Sequence, residues 1–249
     1  AGAELRGVWH RDAQQGQQKA QRYECRSYAS AQAAISDPEV DCISVLTNLE
    51  THREYAEMAM QAGKHVLVEK PAGASRDEVA SMQRCAEACG VQCVPVHNYV
   101  YEPALERTRA LLDRGDLGRL VSVDVLYNIH HPEAVAQRYP GVSRQIRTHH
   151  AYVLLYLAGV PISVAGMKST INDGSVAQEN LAVATLQLQG GGVAHLHASF
   201  AADDHSGDPW TFLVKVIGTE GSTRFSYRDW VQNRRAQVHS HTFSAYPFH

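Results

Sequence analysis

The apolar positions of this chain follow two different rules, with the change near Asn98. Before it, short continuous apolar runs alternate with segments of helical length. Cys42-Ile43-Ser44-Val45-Leu46, His65-Val66-Leu67-Val68 and Val91 to Val96 are such runs. Unbroken apolar, β-branched strands are what a parallel sheet covered on both faces selects. The segments between them carry start and stop signals. Thr51-His52-Arg53-Glu54 reads as a capping box opening a helix through Ala62, which Gly63 ends. Ser75-Arg76-Asp77-Glu78 opens a second helix, which Gly90 ends. Upstream, Leu5 to Trp9 is a short apolar run and Asp12 to Arg22 a polar, Ala/Gln-rich exposed helix. Ser30 to Ile35 is a short helix closed by Asp37-Pro38. This rhythm predicts βαβ units in a doubly wound parallel sheet with right-handed crossovers.

After Asn98 the strands alternate apolar and polar residues, the mark of an antiparallel sheet with one solvated face. Pro103 to Arg114 is an amphipathic helix ended by Gly115-Asp116-Leu117-Gly118, and Leu120 to Ile129 is the first alternating strand. His130 to Arg144, with Pro132, Pro140 and Gly141, reads as a long loop. A helix through Ala151 to Leu157 stops at Gly159 and Pro161. Further strands are expected at Ser163 to Ile171, Asn180 to Gln189, Val193 to Phe200, Phe212 to Ile217 and Ser222 to Tyr227. Gly190-Gly191-Gly192 lies between two of these and is a hairpin turn; no helix follows it to make a phosphate cradle. The expected fold is an α/β domain over residues 1–97, then an α+β domain with a large, mainly antiparallel open sheet over 98–249.

Composition narrows the function classes. The 249 residues are 44% hydrophobic and 20% charged, with formal net charge −3 and scattered basic residues, which argues against a nucleic-acid partner. No apolar run approaches the roughly 20 residues that span a bilayer. Cys85, Cys89, Cys93 and His97 recur every fourth residue and would form a metal-ligand stripe on one helix. Gly90 and the strand-like Cys93-Val94-Pro95-Val96 interrupt that helix, so small buried thiols are expected and no metal. The pairs His130/His131 and His239/His241 read as exposed loop or strand histidines. The N-terminus shows no signal-peptide pattern, and a cytoplasmic location is expected.

Several segments, in order, resemble the Gfo/Idh/MocA oxidoreductases. They are Thr47-Asn48-Leu49-Glu50-Thr51-His52, Gly63-Lys64-His65-Val66-Leu67-Val68-Glu69-Lys70-Pro71, His97-Asn98-Tyr99 with Pro103, Leu117-Gly118, and His149 with Leu157-Ala158-Gly159. The resemblance implies a Rossmann-type domain followed by a substrate-binding and oligomerisation domain. It implies hydride transfer between NAD or NADP and a secondary alcohol or carbonyl of a sugar or polyol. NAD-dependent glycosidases use the same scaffold, and an impaired member could serve as a binding or assembly protein. Homodimers or homotetramers through the open sheet face are also implied. Two departures stand out. No G-x-G-x-x-G turn occurs in the 249 residues, so the chain is expected to start at the second strand of the nucleotide-binding fold. It is likewise expected to stop before the last strands and helix.

The resemblance also distributes roles. Lys70 is the catalytic lysine, touching the reacting oxygen; the peptide before Pro71 is expected to be cis. Glu69 either orients Lys70, lines the cofactor pocket or forms a structural ion pair. His149 falls at the catalytic histidine's place, and His150 competes with it because one residue of slip exchanges them. The aspartate expected one helical turn earlier is Gln145, a neutral amide that can hydrogen-bond but cannot relay a proton. On the cofactor side stand His10, Arg11, Thr47, Asn48, His52, Glu69, Lys70 and Asn98. His10 holds the place of the usual acidic residue and Arg11 follows it, which tilts the expectation towards NADP. Tyr99, Tyr101 and Tyr127 either line a sugar pocket or pack in the core.

Overall fold

The computed structural model describes residues 2–131, 141–171, 179–201, 210–226, 229–234 and 237–242. Two compact units divide the chain, Ala1–Val96 and His97–His249.

In the first unit the order is β1 (Gly7–Val8), α1 (Ala13–Arg22), β2 (Arg26–Ser27), α2 (Ala31–Ile35), β3 (Cys42–Val45), α3 (His52–Gln61), β4 (His65–Val68), α4 (Arg76–Cys89) and β5 (Cys93–Pro95). The parallel pairing predicted from the apolar runs is present: β3, β4 and β5 form one ladder in that order. β1 pairs in parallel with β2 in a separate two-stranded ladder. The sequence pattern missed β2, because two exposed residues carry no periodicity. One core forms under the β3–β5 ladder from Ile35, Val45, Ala56, Ala59, Met60, Val66, Val68, Met82 and Ala86.

The two capping boxes behave differently. Ser75 Oγ accepts from the Glu78 amide at 3.2 Å. The Glu78 carboxylate returns to the amide of Ala74, one residue beyond the cap, at 2.7 Å. Thr51 makes no cap bond. A 3-10 turn over Leu49–Thr51 runs straight into α3, so Thr51 already has helical backbone. Its hydroxyl turns back to Thr47 Oγ1 and to the Asn48 carbonyl, both at 2.9 Å.

The second unit opens with a 3-10 turn over Asn98–Tyr101 and continues with α5 (Pro103–Asp113), β6 (Leu120–Asn128), α6 (Val142–Gln145) and α7 (Arg147–Ala158). Strands β7 (Ser163–Ser169), β8 (Leu181–Gln187), β9 (Val193–Ser199), β10 (Thr211–Gly218), β11 (Gly221–Ser226), β12 (Asp229–Arg234) and β13 (Gln237–Thr242) follow. They make one eight-stranded sheet in the order β13-β12-β11-β10-β6-β9-β8-β7. All neighbours are antiparallel except β6 and β9, which run parallel from Ser122↔Val193 to Asn128↔Ser199. Alternation sorts the faces: Val123, Val125, Tyr127, Ala194, Leu196, Ala198, Phe212, Val214 and Val216 point into the core with Leu105, Val153 and Leu154 of the helices. Each fully buried Val, Leu or Phe side chain among them contributes roughly 1.5–3 kcal/mol.

Gly190 and Gly191, with φ of 84° and 91°, make the expected hairpin turn, closed by the Leu188 amide donating to the Gly192 carbonyl at 2.8 Å. Strands β12 and β13 were not anticipated. The expected loop from His130 to Arg144 needs correcting at its end. Residues 132–140 lie outside the described residues, but α6 begins at Val142, and α7 begins at Arg147 rather than at Ala151. Glu179 explains the extra turn: its backbone carbonyl takes the Val142 amide at 3.0 Å, and its carboxylate takes the Ser143 amide at 3.3 Å. A residue distant in sequence thus caps a four-residue helix that has no side-chain cap of its own.

Candidate functional site

The first unit presents its candidate residues where its parallel strands end. Lys70 follows β4, the Lys70–Pro71 peptide is cis, and the Glu69 carboxylate turns back to accept from the Lys70 amide. Lys70 is half-buried, and that desolvation lowers its pKa while the Glu69 charge opposes the shift. His52 is 2% exposed. Its ring lies between two carbonyl oxygens, Nδ1 at 3.0 Å from that of Pro71 and Nε2 at 3.0 Å from that of Thr47. It therefore clasps the segment after β3 to the segment after β4, and its ring nitrogens serve the backbone rather than a ligand. Thr47 is partly exposed and Asn48 exposed.

Past β1, the His10 ring accepts the Asp12 amide at 3.0 Å and Arg11 is exposed. Asp12 caps α1, accepting from the amides of Gln14 at 2.9 Å and Gln15 at 3.2 Å. Those bonds, the Gln15 amide first, hold its carboxyl below the usual range.

The second unit gathers Asn98, Tyr99, His149 and Tyr152. The Tyr152 hydroxyl stands 2.7 Å from His149 Nδ1, donates to Asn98 Oδ1 at 3.1 Å and accepts from the Tyr99 amide at 3.3 Å. His97 stacks on the Tyr152 ring, centroids 4.2 Å apart at 15°. The Tyr99 ring stacks on Phe212 at 4.2 Å and meets His149 edge-on at 4.8 Å.

The structure separates the two neighbouring histidines. His149 is 7% exposed and belongs to this network; His150 is 0% exposed, and among the described residues neither of its ring nitrogens has a hydrogen-bond partner. Burial, then the positive charges of His149, Arg147 and His197, push its pKa down to about 3. A contact between His150 and substrate, left open by the sequence, does not fit this position in the core.

Two family models match the chain in succession. The first, described as an oxidoreductase family with an NAD-binding Rossmann fold, matches residues 1–97. The second, the GFO/IDH/MocA C-terminal domain, matches residues 105–224. The chain belongs to the Gfo/Idh/MocA oxidoreductase family. Among curated Gfo/Idh/MocA relatives, 1,5-anhydro-D-fructose reductase of Ensifer adhaerens is 27% identical over 79% of this chain and 60% of its own length. D-apiose dehydrogenase of Paraburkholderia graminis is 25% identical over 84% of this chain and 57% of its own. The chain thus spans about three fifths of these relatives. A crystal structure of GenD2 from gentamicin A biosynthesis in complex with NAD superposes with TM-score 0.80 at 26% identity, over 90% of this chain and 65% of that one. Levoglucosan dehydrogenase in complex with NADH and levoglucosan gives TM-score 0.86 at 21% identity, over 96% and 70%, which at that identity speaks to the fold alone.

For a Gfo/Idh/MocA chain, the donor set of the first unit suits a nicotinamide dinucleotide. Cations (Arg11, Lys70) and neutral hydrogen-bonding side chains (Thr47, Asn48) stand at the carboxyl ends of parallel strands, where such folds bind ligands. The nearby carboxylate of Asp12 is engaged in its helix cap.

Two readings from the family pattern change. Gln145 does not sit one turn before His149 on a common helix: it ends α6, and Ile146 (φ −105°) separates it from α7. Tyr99 and Tyr127 are 6% and 9% exposed and pack against Phe212 in the core, whereas Tyr101 is 68% exposed. The cysteines also depart from expectation. Gly90, in left-handed conformation, ends α4 as predicted, but Cys85 and Cys93 are only partly covered and Cys89 is exposed. Tyr152, central to the second-unit network, was missed by the sequence reading. The signal for it was its spacing: three residues after His149, it shares a helix face with the imidazole.

Proposed function

We propose that this chain works in an NAD(P)-dependent dehydrogenase or reductase acting on a secondary alcohol or carbonyl of a sugar or polyol. The observation that carries the proposal is Lys70: a half-buried ammonium at the end of a parallel strand, its charged form disfavoured by desolvation. An ammonium poised this way stabilises negative charge on a substrate oxygen and hands a proton over more readily than a solvated lysine. His149 takes or returns the hydroxyl proton, depending on the direction of reaction. Nicotinamide dinucleotide, when bound, supplies the hydride acceptor for oxidation and the donor for reduction. Arg11, Thr47, Asn48 and Glu69 are the first unit's candidates for holding it, and His52 holds together the two segments that carry Thr47, Asn48, Glu69 and Lys70.

Arg11 tilts the choice towards NADP: it is exposed, and Asp12 is committed to its helix cap. Both cofactor types occur among similar proteins, NADP(+) in the name of scyllo-inositol 2-dehydrogenase of Bacillus subtilis and NAD with GenD2. The outward sheet face, with partly exposed Leu126, Val183, Leu213 and Ile217, supports self-association into a dimer or tetramer. Among the described residues no helix is long and apolar enough to cross a membrane, and a cytoplasmic location completes the reading.

The test is turnover of a panel of sugars and polyols with NAD+ and NADP+, followed by nicotinamide absorbance. Lys70→Ala should cost about 10²–10⁴-fold in rate. Undiminished turnover in that variant removes the mechanism, and failure to bind either dinucleotide removes the oxidoreductase reading. Product formation without net accumulation of reduced cofactor would favour the glycosidase chemistry.

A further inference from the structure

We infer that His52 is a positioning residue for the turn that carries Lys70, and that its hold on that turn depends on how many protons its ring carries. The meaning of this role rests on the proposed chemistry of Lys70. The basis is the nature of two partners. The imidazole is 2% exposed, with Nδ1 3.0 Å from the Pro71 carbonyl oxygen and Nε2 3.0 Å from that of Thr47. A carbonyl oxygen only accepts, so each contact is a hydrogen bond only when the ring nitrogen in it bears a proton. The imidazolium makes both bonds. A neutral ring has a single N–H, keeps one bond and turns a lone pair towards the other oxygen.

Glu50, Arg53 and Glu54, on the 3-10 turn and on α3, are exposed, whereas Glu69, Lys70 and Glu78, on the turn after β4 and on α4, are partly buried. The Glu69 and Glu78 carboxylates accept from the amides of Lys70 and Ala74. Among the described residues none of these six makes a hydrogen bond or ion pair with the imidazole, whose polar partners are the two carbonyls. Loss of a ring proton is therefore felt by the two backbone segments. One carries Thr47 and Asn48 after β3; in the other, Pro71 follows Lys70 across the cis peptide. Two bonds fix the Lys70 turn to the segment after β3, and one bond leaves that link open.

The experiment needs neither cofactor nor substrate, so this inference can fail while the dehydrogenase reading stands, and the reverse. ¹H–¹⁵N NMR follows the His52 ring nitrogens and the backbone amides of the wild-type chain against pH. The amides of Asn48 and Ala72 share peptide units with the two carbonyls and report whether each is hydrogen-bonded. As the ring loses its second proton, at least one of these amides should shift with the same midpoint as the ring. In His52→Gln, whose side-chain amide has one nitrogen to donate from and no titrating proton, that coupled shift should be lost. The Lys70 ammonium, whose charged form burial disfavours, should titrate at higher pH in the variant, because a turn held on one side admits water. A purely structural role would lower the Tm of His52→Gln and leave the wild-type Asn48 and Ala72 amides indifferent to the ring's titration. A ring that never takes the second proton, or amides that do not follow it, overturns the inference in the wild-type chain alone, whether or not the variant folds. A coupled shift that persists in folded His52→Gln, or an unchanged Lys70 titration there, overturns it as well.

Discussion

Replacing His150 by leucine isolates the cost of a buried, unpaired imidazole. The ring is 0% exposed and, among the described residues, neither nitrogen has a hydrogen-bond partner. Desolvation first, and then the charges of His149, Arg147 and His197, lower its pKa from 6.5 to about 3. The folded-state value is below the unfolded one. Between those two values the unfolded chain binds a proton that the folded chain refuses, so stability falls as the pH falls. The slope is about 1.4 kcal/mol per pH unit, and the whole window amounts to about 5 kcal/mol. Near pH 5 the loss relative to neutral is about 2 kcal/mol, or about 4–8 °C in Tm for a unit of this size. His150→Leu removes this loss and leaves every other titrating group in place. At neutral pH the variant should be as stable as the wild type or more so, because it deletes unpaired polar atoms and keeps an apolar side chain in the core. Urea unfolding of both proteins at neutral pH and near pH 5 measures the effect. A stability difference that stays constant between the two pH values refutes the reasoning.

Gly141→Ala should destabilise by about 1–3 kcal/mol from backbone strain alone, since φ is +89° and an added Cβ would stand 2.6 Å from the Glu179 carboxylate; thermal melts read this, and an unchanged Tm removes the role given to Glu179 at α6. Phe212→Ala, at a side chain 1% exposed under Tyr99, should cost about 3–5 kcal/mol in urea unfolding. Ser75→Ala should cost about 1 kcal/mol, whereas Thr51→Ala, at a residue that caps nothing, should cost less. Arg11→Ala should weaken NADPH binding about tenfold or more and leave NADH binding unchanged; equal losses for both dinucleotides, read by titration, would show that Arg11 does not choose between them.

The parts of the fold that could be read from the sequence are those encoded by short-range rules. Val66 and Val68 announce a buried parallel strand, Ser75 and Gly90 mark both ends of α4, and Gly190-Gly191 turns β8 into β9. The Glu69-Lys70-Pro71 turn was legible for the same reason, because a strand end places it. Thr51 shows the limit. Its capping-box spacing is intact, yet the 3-10 turn before it redirects the hydroxyl to Asn48 and Thr47. The parallel β6–β9 pair was equally hidden, because alternation tells a strand which face is buried but not which neighbour it pairs with or in which direction.

By itself, then, the amino-acid sequence determined most of the helices and strands, where the change of architecture falls, and which lysine and which pair of adjacent histidines are candidates for chemistry. Each of these depends on residues a few positions apart, through helical period, alternation, capping and turn geometry. Only the tertiary structure decided that His150 points into the core and His149 into a network with Tyr152 and Asn98, and that a glutamate at position 179 caps a helix starting at 142. The physical reason is distance along the chain. Asn98 and Tyr152 meet across 54 positions, brought together by the packing of α7 against the 3-10 turn over Asn98–Tyr101, and no local pattern records which side chains such packing will bring together.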